Sequence, residues 1–161
     1  GFVDGRTVRL PTIVVRPGRP NQAASSFASG IIREPLHGVD TVCPVDPSLG
    51  MWVLSPRRAI DALAHAWALD SADWGATRSV ALPGLTVTVR EMLDALRTAA
   101  GDRVANRVRI EPDPAIEAIV GSWPAAFAPE RGRRMGFVPD TSALDIVRAF
   151  VEDENIDIDD A

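Results

Sequence analysis

The chain has 161 residues, 46% hydrophobic and 24% charged, which suits one ordinary globular domain with a real core. A net charge of −5 without a dense basic stripe argues against a nucleic-acid partner, and no apolar run approaches the roughly 20 residues of a membrane span. One cysteine excludes an internal disulfide, and two distant histidines with that cysteine form no metal-ligand cluster.

Residues 7–15 read as a strand, mostly apolar and β-branched, and central because clean alternation is missing. Pro11 cannot donate to a ladder, so the strand should bulge or end there. Pro17-Gly18 and Pro20-Asn21 signal a loop. Residues 22–34 are predicted as a helix with Phe27, Ile31 and Ile32 inward, ending before Pro35. Residues 39–47 and 50–54 read as short strands joined by a turn at DPSLG.

Ser55-Pro56 is a hydroxyl N-cap followed by proline at the first helical position. It opens a helix to about Leu69, on which Ala59, Ile60, Leu63, Ala66 and Trp67 recur at helical spacing and should face the core. Residues 79–82 read as a strand closed by Pro83-Gly84. Thr88-Val-Arg-Glu91 is a capping box, with Val89, Met92, Leu93 and Leu96 as the apolar face and Gly101 as the left-handed cap. Residues 107–110 form a predicted strand. Asp113-Pro114 starts a helix that Gly121 ends. Residues 129–135 read as a short basic helix stopped by Gly136. Residues 141–151 make a last amphipathic helix, with Leu144, Val147, Phe150 and Val151 inward. The acidic end is poor in core residues. The expected division is therefore 1–152 as the folded part and 153–161 as a disordered tail. The elements sum to a mixed α/β domain without internal repeats, GxGxxG, P-loop, GxSxG or HExxH.

A strand, then a polar loop, then a helix is how an α/β protein presents a ligand site at a strand's carboxyl end. In RPGRPNQAASS, Arg16 and Arg19 can take a carboxylate or phosphate bidentately, and Asn21, Gln22, Ser25 and Ser26 can orient hydroxyls. A plain surface loop before a capped helix stands beside that reading. Arg57 and Arg58 sit at a helix start, where the dipole disfavours cations. A bound anion would offset this, but two solvated charges are the simpler account. His37 and His65 read as solvated or packed and Cys43 as a buried structural thiol, while Trp52 and Trp123 could line a pocket, with core or lid packing the default. The single thiol fits a reducing compartment, so a cytoplasmic location is expected, and residues 1–9 are too short and polar for a signal peptide.

The order of these landmarks resembles the C-terminal half of an extended short-chain dehydrogenase/reductase, the NAD-dependent epimerase/dehydratase family. Arg9-Leu-Pro-Thr-Ile-Val resembles its sixth Rossmann strand, which passes the nicotinamide. Trp52-Val-Leu-Ser-Pro-Arg-Arg-Ala59 resembles its "fvhVdDvA" segment. Val80-Ala-Leu-Pro-Gly with Thr88-Val-Arg-Glu-Met resembles its last strand and following helix, and Arg133-Arg-Met-Gly-Phe-Val-Pro139 its closing element. Within the family, RPGRPNQAASSFASGIIREPL and EPDPAIEAIVGSWP resemble members that oxidise a four-carbon sugar acid.

The resemblance implies the last Rossmann strands plus a small substrate-binding domain, without the N-terminal dinucleotide-binding half. It implies NAD as cofactor, with Pro11, Thr12 and Ile13 flanking the nicotinamide. It implies a small sugar acid held by Arg16, Asn21, Ser25, Ser26 and Arg57. The family's general base is a tyrosine helped by a lysine in Tyr-x-x-x-Lys. This chain has no tyrosine, and all 17 of its basic residues other than histidine are arginine. No catalytic residue is therefore assigned, and the chain alone is expected to be inactive. The alternatives are a nucleotide-sugar epimerase or dehydratase, and a stand-alone sugar-acid binding module. Gly50-Met51 stands where nucleotide-sugar members often carry an arginine, which disfavours the former. A strand taken from the middle of a sheet leaves open edges. Self-association of the chain, or a homodimer of a full-length enzyme, is the corresponding expectation.

Overall fold

Pro11 cuts the first strand in two. In the computed structural model, which describes residues 3–19, 21 and 23–158, β1 (Thr7–Arg9) and β2 (Thr12–Ile13) flank Leu10-Pro11 and enter different sheets. The remaining elements are α1 (Ser26–Leu36), β3 (Thr41–Cys43), β4 (Gly50–Leu54), α2 (Pro56–Ala68), α3 (Ser71–Trp74), β5 (Ser79–Ala81) and β6 (Leu85–Thr88), then α4 (Val89–Ala105), β7 (Val108–Ile110), α5 (Pro114–Val120), α6 (Glu130–Arg134) and α7 (Ala143–Asp153). β1 pairs in parallel with β5. β2 pairs in parallel with β4, whose other side takes β6 antiparallel. β3 and β7 form a separate parallel pair.

Two apolar clusters hold these layers. The larger joins Val14 and Val15 after β2 to Ile31 and Ile32 of α1, Met92 and Leu96 of α4, and Ile146 and Phe150 of α7. The smaller lies under α2, where Ala59, Ala62 and Ala66 meet Leu54, Trp74, Val80, Leu82 and Phe137.

Local capping chemistry sets most helix starts. The Ser55 hydroxyl accepts from the Arg58 amide at 3.2 Å. Thr88 and Glu91 form the reciprocal box, with Glu91 N–H to Thr88 Oγ1 at 3.2 Å and Thr88 N–H to Glu91 Oε2 at 2.6 Å. The Asp113 carboxylate and the Ser142 hydroxyl cap α5 and α7 one way only, accepting first-turn amides. At the other end of α2, the Arg6 guanidinium donates to the Ala66, Trp67 and Leu69 carbonyls at 2.7, 3.0 and 2.6 Å. It thereby satisfies acceptors that the helix cannot.

Several expectations are corrected. The buried central strand is not β1: Thr7 and Arg9 are exposed, and β5 is its one partner strand among the described residues. Within residues 7–15 the buried ones are Pro11, Val14 and Val15, and the two valines pack in the larger cluster. α1 starts four residues late, because Asn21 Oδ1 accepts the Ala23 amide at 3.0 Å and closes a turn there. It also continues through Pro35, which sits in the last turn and costs a single backbone bond. On α2 the alanines, not the large residues, face the sheet. Ile60, Leu63 and Trp67 are 67%, 51% and 84% exposed. Small side chains let the helix backbone lie close over Leu54 and Val80, and that turns the bulky stripe outward. β6 was not anticipated; only Val87 of its four residues is buried. At the acidic end, Ile156 packs against the larger cluster and its amide bonds the Val151 carbonyl at 3.0 Å. Residues 159–161 lie outside the described residues.

Candidate functional site

The parallel pairing of β2 reaches its end where the Val14 amide donates to the Leu54 carbonyl at 3.0 Å. The chain then turns through Arg16 and the proline-rich loop into α1. At this junction Thr12, Ile13, Arg16 and Ser25 line a cleft of about 360 Å³, and Trp123 closes one side. That volume is within the range that takes a small ligand. The cleft shares Thr12, Ser25 and Trp123 with an inner recess walled by Phe27, Met51 and Trp52. The recess holds only about 20 Å³, room for roughly one water. A ligand larger than water therefore belongs in the outer cleft.

Two side chains give the cleft its chemistry. Ser25 holds the N-cap position of α1 but makes no capping hydrogen bond, so its hydroxyl remains available to a ligand. Arg16 is half-buried and takes part in none of the ion pairs found among the described residues. A guanidinium without a carboxylate beside it suits a carboxylate ligand.

Trp123, which the sequence offers as a pocket wall beside its default as core or lid, lines this cleft. It follows the end of α5, its amide bonding the Val120 carbonyl at 3.1 Å, and is 40% exposed. The nearest signal is the aromatic in GSWP just past the helix-ending Gly121. Trp52 packs at a tilt against Phe127, with ring centroids 5.1 Å apart and 44° between the ring planes. Its indole Nε1 is buried without a hydrogen-bond partner. It lies over Gly84, where a Cβ would stand 2.5 Å from Nε1, 2.8 Å from Pro11 Cγ and 2.8 Å from the Val53 carbonyl.

The other expected site residues go elsewhere. Pro11 is buried in that contact with Trp52 and Gly84, behind the cleft. Asn21 and Ser26 line a separate groove with Glu34 and Ile119, and the Ser26 hydroxyl accepts the Asn21 amide at 3.2 Å. Gln22 lies outside the described residues. Arg57 is not brought to the cleft. Its Nη2 donates to Asp153 at 2.7 Å and Glu152 at 3.1 Å, on α7, and these two carboxylates push its pKa further up. The anion at the start of α2 is an internal one, Asp140.

No model of a known protein family matches the chain. Over 156 residues it is 54% identical to a D-erythronate dehydrogenase of Cupriavidus necator, covering 97% of this chain and 48% of that protein. A D-erythronate dehydrogenase of Haemophilus influenzae is 43% identical over 152 residues, covering 94% of this chain and 48% of its own length. The chain thus spans about half the length of the curated relatives it matches. Among solved structures, a nucleoside-diphosphate-sugar epimerase from Agrobacterium tumefaciens superposes with a TM-score of 0.93 at 41% identity, over 98% of this chain and 46% of that one. A GalE-like L-threonine dehydrogenase from Cupriavidus necator, in its holo form, superposes at 0.78 with 19% identity over 92% of this chain and 47% of that one, a likeness of fold alone.

Proposed function

The chain belongs to the extended short-chain dehydrogenase/reductase family, as the C-terminal portion of its Rossmann-type fold, and from that premise we propose that it is the substrate-binding part of an NAD-dependent sugar-acid dehydrogenase. The substrate class is a four-carbon acid like D-erythronate, and the oxidised group is a secondary hydroxyl. One observation carries this reading: an ion-pair-free Arg16 and an uncommitted Ser25 hydroxyl share a cleft of about 360 Å³. The arginine answers a carboxylate, and Ser25 and Thr12 answer hydroxyls.

The residues present fit one flank of a flat ring and not a whole dinucleotide. Thr12 and Ile13 offer a wall at the cleft, Pro11 is buried behind it, and the sequence has no glycine-rich loop to cradle a diphosphate. When bound in a full-length enzyme, NAD supplies the hydride acceptor. This chain's own residues bind and orient the acid, and Trp123 limits water access from one side. A tyrosine base and its lysine have no counterpart in the 161 residues, so the chain alone binds without oxidising.

A nucleotide-sugar epimerase is the second reading, favoured by the name of the Agrobacterium relative. It fits less well, because Arg16 is the sole cation lining the cleft among the described residues and a diphosphate calls for more. Titration by calorimetry with D-erythronate and with a UDP-sugar separates the two. Saturable D-erythronate binding is expected; tighter binding of the UDP-sugar overturns the sugar-acid reading. Dehydrogenase activity of the 161-residue chain by itself overturns its assignment as a non-catalytic part. No helix among the described residues is long and apolar enough to cross a membrane. A cytoplasmic location goes with the same reading and is checked by cell fractionation.

A further inference from the structure

Two buried polar side chains of α1 each make a hydrogen bond to the backbone of one loop residue. The Ser29 hydroxyl, fully buried, accepts the Arg16 amide at 3.0 Å. Arg33, 4% exposed, donates from Nη1 to the Arg16 carbonyl at 2.9 Å. Ser29 and Arg33 are one helical turn apart, so both project from the same face of α1. The backbone of residue 16 is thus held at both of its polar groups. It is the last residue so held before Pro17 and Gly18, the latter at a φ of +90°.

Arg33 is an expensive choice for a buried helix position. A guanidinium in the interior must be paired and fully hydrogen-bonded to be tolerated. Here Glu34 supplies the charge, accepting from Arg33 Nε at 3.0 Å. A leucine at position 33 would fill the same space without that need. What leucine could not do is hold the Arg16 carbonyl. Ser29 is likewise a weak helix former in a fully buried place, and its hydroxyl oxygen is used on the same residue.

We infer that Ser29 and Arg33 are positioning residues of the cleft: by clamping the Arg16 backbone from both sides they fix where its guanidinium stands for the substrate carboxylate. Neither lines the cleft. They act through Arg16, and the inference rests on the sugar-acid reading of the site. Bidentate capture of a carboxylate needs the fork held to a fraction of an ångström, and a loop residue needs such support to achieve it.

The test is D-erythronate affinity of the 161-residue chain by calorimetry, with thermal unfolding of each variant measured in parallel. Ser29→Ala removes one clamp with little change in volume, and Arg33→Met removes the other. Each is expected to weaken binding about tenfold. Arg33→Lys keeps a donor for the Arg16 carbonyl and should recover part of the loss. The decisive comparison is in an Arg16→Gln background. Arg16→Gln alone should weaken binding by more than tenfold, and adding Ser29→Ala should then cost nothing further. If Ser29→Ala and Arg33→Met bind as the unsubstituted chain does while Arg16→Gln is impaired, the positioning role is overturned. A lower melting temperature at unchanged affinity overturns it equally, in favour of a purely structural role. If Arg16→Gln itself binds normally, or the unsubstituted chain does not bind, it is the sugar-acid reading of the cleft that fails. Where Arg33→Met does not fold, Ser29→Ala and its cycle with Arg16→Gln carry the test.

Discussion

Asp140 grips Ser55 with both carboxylate oxygens: Oδ2 accepts the Ser55 amide and Oδ1 accepts the Ser55 hydroxyl, each at 2.7 Å. Both residues are buried, at 7% and 1% exposure. The carboxylate stands at the N-terminus of α2, where the helix dipole favours negative charge. One residue near the chain's end thereby fixes the start of a helix 85 positions earlier. Asp140→Ala strands two buried donors, which should cost about 2–4 kcal/mol. Asp140→Asn keeps one acceptor and should cost less. Urea unfolding measures both, and an unchanged midpoint for Asp140→Ala would show that the grip contributes nothing.

Gly84 is required by space rather than by backbone conformation. Its missing Cβ would lie 2.5 Å from Trp52 Nε1 and 2.8 Å from the Val53 carbonyl. The carbonyl belongs to β4 and cannot retreat without disturbing the ladder to β2 and β6. Gly84→Ala should therefore destabilise by about 1–3 kcal/mol and displace the Trp52 ring from Phe127. Near-ultraviolet circular dichroism reports the ring, and thermal unfolding the stability. A variant with the parent's spectrum and melting temperature would contradict the contact.

What the sequence made legible is what local chemistry decides. Ser55-Pro56, Thr88 with Glu91 and Asp113-Pro114 each declare a helix start within three residues, and all three form as expected. Thr12, Ile13, Arg16 and Ser25 converge because a strand end, a loop and a helix start are contiguous in the chain. The rest depended on distant partners. Nothing near Arg57 announces Glu152 and Asp153, and nothing near Ser55 announces Asp140. On α2, apolar spacing put Ile60, Leu63 and Trp67 on the same inward stripe as Ala59 and Ala66, and the structure turns the three large residues outward. Close approach to the sheet chose the alanines, which is a property of packing distance and not of hydrophobicity.

Acid should weaken the fold through its caps. The Thr88 amide and hydroxyl hold the Glu91 carboxyl below its ordinary pKa. Bonds from Thr141 and then Ser142 do the same for Asp145, and the Ser48 contacts do so for Asp46. A folded pKa below the unfolded one contributes stability that is present above the unfolded value and is lost as pH falls through the folded one. The urea midpoint, as far as these groups set it, should be flat above about pH 5 and fall below about pH 4. Glu91→Gln should lower the midpoint at neutral pH and flatten part of the acid limb. An acid limb identical to the parent's would rule out the Thr88–Glu91 box as a contributor.

The outward stripe of α2 should make the chain associate. Ile60, Leu63 and Trp67 lie within two turns on one face, and Trp67 is 84% exposed. A neighbouring cleft of about 390 Å³ runs from Leu63 and Trp67 to Val8 of β1. β1 adds a strand edge that no described strand covers. Apolar area beside an open edge is a combination that folded chains bury against something. In a solution of the chain alone, the available cover is a second copy. Light scattering across a concentration series should show dimers or larger species giving way to monomer on dilution. Leu63→Gln with Trp67→Gln should move that equilibrium toward monomer without lowering the melting temperature, since neither side chain is in the core. A chain that stays monomeric at high concentration would show that this face does not pair with itself.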